Sequence, residues 1–258
     1  MRHLKIPEIP PPQPDKQPGA NGFLITAACS TEYYKAAVNC AQSILDFFPE
    51  AKIMICTEHA LFQEEHRYLF DVVDLSSPRH MRGKLYALDR SPYDITAYID
   101  ADCEIRHDDI STIFDQLGDS DIMMTRIRNY SGAQIAINKY DDLTWHCGVF
   151  LYNSKPLTRN MMSDWWLEFL YQSTLMASKS SWPWKDDDYH MGRWDQYTFY
   201  RLYSSEKYAN VKLEVFPGED ARWNFVNNYF ETELSNMNDL VIYHYTLNKE
   251  RRDAGSHY

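Results

Sequence analysis

Residues 95–102 read Ile-Thr-Ala-Tyr-Ile-Asp-Ala-Asp, a short apolar run that ends in two carboxylates one residue apart. The run has the length of a buried strand. In an extended chain alternate side chains share a face, so Asp100 and Asp102 point the same way. Two hard oxygen ligands at a strand end suit Mg²⁺ or Mn²⁺, and such an ion can clamp a diphosphate. The Asp-x-Asp triplet is not specific by itself, since a chain with 23 aspartates holds it three times, at 100–102, 119–121 and 186–188. Asp119 and Asp121 flank an expected turn, and 186–188 is a run of three Asp, so both are read as solvated surface charge. Only Asp100 and Asp102 stand at the end of a buried strand.

Upstream, the same strand pattern recurs between helices. GFLITAA from Gly22 is a first strand, and Ser30-Thr31 offers an N-cap. Tyr34, Ala37, Val38, Ala41, Ile44, Leu45 and Phe48 then recur on one helix face until Pro49. Further strands are expected at 52–56, 71–75 and 121–125, with helices near 61–69, 81–89 and 110–117. Alternation of this kind predicts an α/β fold, a mostly parallel central sheet with helices on both faces. Ligands of such sheets sit at the carboxyl ends of the strands. The second half is less regular: a strand at 148–152, a long amphipathic helix from Pro156 to about Met176, and late strands at 211–216 and 240–243.

The chain has 258 residues, 44% apolar and 24% charged, the composition of an ordinary globular protein of one or two domains. Its net charge of −11 argues against a nucleic-acid partner, which needs a basic face. No apolar run is long enough for a membrane span, and the opening MRHLKIPEIPPP lacks the apolar region of a secretory signal. The five cysteines include no C-x-x-C pair and are read as reduced thiols of a cytoplasmic protein. Six of the twelve prolines fall within 7–18, which marks residues 1–20 as a Pro-rich tail or strap ahead of one domain at 21–258.

Residues 84–102, KLYALDRSPYDITAYIDAD, resemble the core of the GT-A glycosyltransferases, the nucleotide-diphospho-sugar transferases. That family shows a basic residue, a short helix, SPYD, an apolar strand and then the Asp-x-Asp. His146-Cys-Gly-Val-Phe-Leu-Tyr-Asn153 is similar to the family's N-S-G-V strand, with His146 and Cys147 in place of Asn and Ser. Trp194-Asp195-Gln196 resembles its D-Q element, Phe216-Pro217 with Trp223-Asn224 its L-P…W-N segment, and His244 to Lys249 its late H-x-x-G-x-x-K-P-W element without the Gly and the Pro-Trp. The likeness covers roughly residues 22–250. It divides the domain into a nucleotide-binding half, about 21–126, and an acceptor half, about 127–258.

The resemblance implies a metal-dependent transfer from a nucleotide-sugar, most simply a UDP-sugar, to a glycan or other hydroxyl acceptor. Asp100, Asp102 and His244 would hold Mn²⁺ or Mg²⁺, with Ala101 between the two carboxylates. Lys84, Arg82 and Lys249 would meet the diphosphate. Ala27, Ala28 and Ser30 would let the backbone approach the nucleoside, with Tyr33 or Tyr34 available to stack on the base and Thr57-Glu58 to reach the ribose. Asp195 and Gln196 would lie near the reacting carbon. His146, Cys147, Gly148 and Asn224 would line the sugars, and Trp182, Trp184 and Trp194 would form an acceptor platform. The D-Q and late His elements resemble retaining enzymes of the glycogenin and lipopolysaccharide galactosyltransferase type. Two rivals stand beside this reading. A sugar-nucleotide nucleotidyltransferase would want a Gly-rich basic loop after the first strand, where this chain has Ala27-Ala-Cys-Ser30. A non-catalytic glycan-binding module would not need Asp100, Asp102 and His244 together.

Overall fold

A computed structural model describes residues 12–17, 19–127, 145–175, 194–227 and 233–247. Its chain begins with β1 (Asn21–Ala27), α1 (Thr31–Phe47), β2 (Ile53–Thr57) and β3 (Val72–Asp74). There follow α2 (Gly83–Ala87), β4 (Ile95–Asp100), β5 (Cys103–Ile105), β6 (Ile122–Arg126) and β7 (Trp145–Asn153). The last elements are α3 (Pro156–Leu175), α4 (Asp195–Tyr203), β8 (Leu213–Val215), β9 (Phe225–Val226) and β10 (Ile242–His244).

Seven strands form the central sheet in the order β3-β2-β1-β4-β7-β6-β8. β7 runs antiparallel to both neighbours, β4 and β6, and the other pairings are parallel. The two-residue period of the central strands explains the layers. Phe23 and Ile25 face one side, where Tyr34, Ala37, Ala41 and Ile44 of α1 cover them. Leu24 and Met54 face the other, under Met161, Trp165 and Phe169 of α3 and Leu85 of α2. Each fully buried side chain of this size adds about 1.5–3 kcal/mol. α1 starts where the sequence indicates, with Ser30 Oγ accepting the Tyr33 N–H at 3.2 Å. The expected helices at 61–69 and 110–117 are 3₁₀ segments, Glu64–Leu69 and Asp108–Leu117.

A smaller sheet, β5-β10-β9, sits beyond the end of β4. After Asp100 the chain turns through Ala101-Asp102 and re-enters a strand at once, so β5 can pair antiparallel with β10. That pairing sets His244 opposite Cys103 and so beside Asp102. Asp121 departs from its expected role as surface charge. It is buried and accepts from Lys155 Nζ (2.7 Å), Asn153 Nδ2 (2.9 Å) and the Lys212 N–H (3.0 Å), tying β8 to the sheet. Among the described residues no helix is long and apolar enough to cross a membrane.

Candidate active site

The carboxyl ends of β1 and β4, the first turn of α2, the start of α4 and the end of β10 converge on one cluster of charge. Asp100, Asp102 and His244 have ligand atoms within 4.8 Å of one another. His244 Nε2 lies 3.2 Å from Asp102 Oδ1, while Asp102 Oδ2 accepts the Leu247 N–H at 2.9 Å. Burial alone would raise the Asp102 pKa, but the His244 charge and hydrogen bonding outweigh it and hold the carboxyl below its usual range. The same pairing raises His244 against a burial effect of opposite sign. Asp100 is raised, because burial outweighs Lys84 and His244.

Lys84 joins this trio to a third carboxylate. Its buried Nζ contacts Asp195 Oδ2 at 2.7 Å, the Cys147 carbonyl at 2.8 Å and Asp100 Oδ1 at 3.3 Å. Arg82 Nη1 reaches Asp195 Oδ1 at 3.4 Å. Asp195 is 1% exposed. Burial would raise its pKa, yet Arg82 and Lys84 push it well below the ordinary range. Its two oxygens meet these cations without an aligned hydrogen bond among the described residues. The loop that carries both cations is fixed by His80, whose Nδ1 accepts the Arg82 N–H at 2.9 Å while its ring rests edge-on against Trp166 and Phe169.

Behind the trio lie His146, Gly148 and Asn224. Pairing between β6 and β7 jumps from Met124↔Phe150 to Thr125↔His146, a bulge of the kind that redirects side chains near sites. It aims the Cys147 carbonyl at Lys84 and the Gly148 N–H at His146 Nδ1, 3.0 Å away. Burial, with the charges of His244 and Lys84, lowers the His146 pKa to about 3, so the ring is neutral.

The nucleoside side is less charged. Ala27 is buried and its carbonyl accepts from Thr57 Oγ1 at 2.8 Å. Ala28 and Ser30 are half-buried on the loop after β1, and Ala101 is buried in the turn between the two aspartates. Cys29 has φ +72° and donates its N–H to the Glu58 carboxylate at 2.6 Å, which pins that loop. Tyr34 is a core residue, enclosed with Phe62 and His66. Tyr33 is half-buried and lies near enough for its hydroxyl to influence Arg82.

Three residues stand elsewhere than a direct sugar contact requires. Asn224 is fully buried, with both ends of its amide bonded. Cys147 presents its carbonyl to Lys84 and buries its thiol among Leu24, Met54 and Phe150, where the pKa is pushed well up. His146 is buried behind His244, ring centroids 5.5 Å apart. Trp194 is half-buried at the N-cap of α4, and Gln196 is half-buried in that helix's first turn. Trp182, Trp184 and Lys249 lie outside the described residues. The sequence reading passed over Tyr98, whose hydroxyl donates to Asp100 Oδ1 at 2.5 Å. The signal was available, since Tyr98 is two residues before Asp100 on the same strand face.

The sequence matches no known protein-family profile and no curated protein. Solved structures are similar in shape. The glycosyltransferase GlyE of Streptococcus pneumoniae TIGR4 superposes with a TM-score of 0.57 at 14% identity, over 88% of this chain and 55% of that one. The bifunctional glycosyltransferase WbbM gives 0.53 at 13% identity, over 91% and 47%. An active-site mutant of LgtC gives 0.52 at 12% identity, over 88% and 87%. The chain thus spans about half of the GlyE and WbbM chains and most of LgtC. At these identities the likeness shows the fold, and the chain has the GT-A glycosyltransferase fold.

Proposed function

We propose that the chain is a glycosyltransferase that moves a sugar from a nucleotide-sugar, a UDP-sugar in the simplest case, to a hydroxyl acceptor with the help of a divalent cation. The observation that carries this reading is the convergence of Asp100, Asp102 and His244 beside the Lys84–Asp195 pair at the ends of β4 and β10. Two carboxylates and one imidazole fit a cation that accepts both oxygen and nitrogen, Mn²⁺ more readily than Mg²⁺. When bound, the ion would neutralise charge on the leaving diphosphate.

The charge balance supports a need for that ion. Asp100, Asp102 and Asp195 carry three negative charges, and Lys84 and Arg82 carry two positive ones. These five side chains sum to −1, and a protonated His244 brings the cluster only to zero, so it has no net attraction for a diphosphate. Two further positive charges reverse the sign. Lys84 and Arg82 then hold phosphate oxygens in a site where water is largely excluded and electrostatic attraction is strong.

Asp195 favours retention over inversion. A general base needs a pKa near the working pH, whereas Arg82 and Lys84 hold this carboxylate far below it. A fixed buried anion suits a different task, stabilising positive charge that grows on the sugar ring as the leaving group departs. Gln196, the next residue of α4, would orient the acceptor or the sugar from the same helix turn.

Thermal unfolding with UDP, with and without Mn²⁺, tests the reading. A ligand at about 100 times its Kd adds about 2.7 kcal/mol, which is roughly 5–10 °C for a chain of this length. A Mn²⁺-dependent UDP shift that disappears in Asp102→Asn is expected, and a screen of UDP-sugars would follow. A shift with nucleoside triphosphates alone would replace the reading by nucleotidyl transfer. No shift with any nucleotide would leave a glycan-binding module as the better account. Anomeric NMR of the product addresses stereochemistry, where an inverted product would overturn retention.

A further inference from the structure

The groups beneath His244 determine which of its ring nitrogens faces the two aspartates. The Gly148 N–H, a backbone group that can only donate, fixes the roles of the groups around it. It lies 3.0 Å from His146 Nδ1, so that nitrogen accepts and the His146 proton sits on Nε2. Asn224 meets the same Nδ1 at 2.8 Å and must therefore present its NH₂, which also donates to Thr125 Oγ1 at 3.0 Å. The Asn224 carbonyl is thereby turned to His244 Nδ1 at 3.1 Å. A carbonyl only accepts, so His244 carries hydrogen on Nδ1, and its Nε2 is the atom that looks toward Asp102.

We propose that Gly148, His146 and Asn224 form a positioning relay that keeps hydrogen on His244 Nδ1 and so leaves Nε2, the nitrogen facing Asp102, as the one that can give up its proton and bind a cation. The alternatives are costly. With hydrogen on Nε2 alone, His244 Nδ1 would set a lone pair against the Asn224 carbonyl. Flipping that amide would set its oxygen against His146 Nδ1 instead. Either arrangement strands two buried acceptors face to face, and Asn224 and His146 have little exposure to water that could intervene. The bulge in β7 supplies the starting donor, and only glycine fits there. A Cβ on residue 148 would lie 2.8 Å from Cε1 of both imidazoles. Asn224 and His146 thus act through His244 rather than on substrate. Partners of this kind commonly alter metal affinity by about 10–100-fold.

The use of the lone pair by a cation rests on the proposed function, but the tautomer does not, and the test separates them. Long-range ¹⁵N–¹H correlation of the imidazoles, in metal-free ¹⁵N-labelled protein in alkaline buffer, reads each tautomer directly. Hydrogen is expected on Nε2 alone in His146 and on Nδ1 in His244, whether or not His244 Nε2 also carries one toward Asp102. In Asn224→Leu the His244 hydrogen should move to Nε2, and Mn²⁺ should bind about 10–100-fold more weakly. A His244 Nδ1 without hydrogen in the native chain would overturn the relay without need of any variant. So would an unchanged Nδ1–H form in folded Asn224→Leu. Native protein with the stated tautomers that binds no Mn²⁺ would support the relay and defeat the metal reading.

Discussion

Replacing Lys84 by Met tests how far the site depends on one buried cation. Met keeps most of the stem volume and removes the charge. Asp195, 1% exposed, then loses its contact at 2.7 Å and keeps only Arg82 at 3.4 Å. Asp100 loses Lys84 but keeps the Tyr98 hydroxyl. Removing one partner of a buried pair costs about 3–5 kcal/mol, and the surviving Arg82 contact places this case at about 3 kcal/mol. For a chain of this length that lowers Tm by roughly 6–12 °C. The pH dependence identifies the cause. In the native chain the Asp195 pKa is depressed, so its contribution is present above the unfolded carboxylate value of about 4 and fades as pH falls through the folded value. In Lys84→Met one of the two cations is gone while Arg82 stays, so the pKa rises from its depressed value toward the ordinary carboxylate range and protonation relieves the variant as pH drops. The gap in urea-unfolding free energy should be widest at neutral pH and narrow as pH falls below about 4. Asp195→Asn in the Lys84→Met background should restore much of the loss, because the buried carboxylate is neutral and Arg82, 35% exposed, can turn to water. A gap below about 1 kcal/mol, or one independent of pH and unrelieved by Asp195→Asn, would refute the account.

Three further substitutions probe the scaffold. Gly148→Ala puts a methyl 2.8 Å from both imidazoles and should cost about 1–3 kcal/mol in urea unfolding, with weakened Mn²⁺ binding. Arg90→Met leaves Asp74 buried without its partner at 2.6 Å and frees the Pro12 carbonyl. A loss of about 3–5 kcal/mol is expected, with faster amide exchange over residues 13–17. Ser30→Ala removes the cap of α1 and should cost about 1 kcal/mol by thermal unfolding.

The fold was legible where side-chain periodicity carries it. β1, β2 and β4 are apolar runs whose ends fall close to the expected positions, because central parallel strands bury both faces and tolerate no polar interruption. The short segments β5 and β9 were not foreseen. Three or two residues hold too little pattern, and their pairing with β10 depends on distant chain. The antiparallel course of β7 was equally hidden, since strand direction is a property of the connection. At the candidate site, the closeness of Asp100 and Asp102 follows from strand geometry alone. The arrival of His244 follows from the resemblance and not from periodicity. The depth of Asn224 and the bulge at Cys147-Gly148 are three-dimensional facts, and the sequence assigns those residues to sugar contact because it cannot show which way a bulged strand turns.

The placement of charge argues for catalysis over simple glycan recognition. Burying ionised groups weakens a fold unless each is paired, and even paired groups often contribute little net stability. This chain nevertheless gathers Asp100, Asp102, Asp195, Lys84, Arg82 and His244 within one cluster. It does so where the architecture leaves strand ends open and not within the two apolar layers. A lectin-like surface needs flat apolar faces and exposed hydrogen bonds, and it has no use for a carboxylate hidden beneath two cations. Such an arrangement is suited to a charge that changes during the event it serves. A diphosphate that arrives with its cation and leaves with more negative charge meets that description, and a neutral glycan that binds and dissociates unchanged does not.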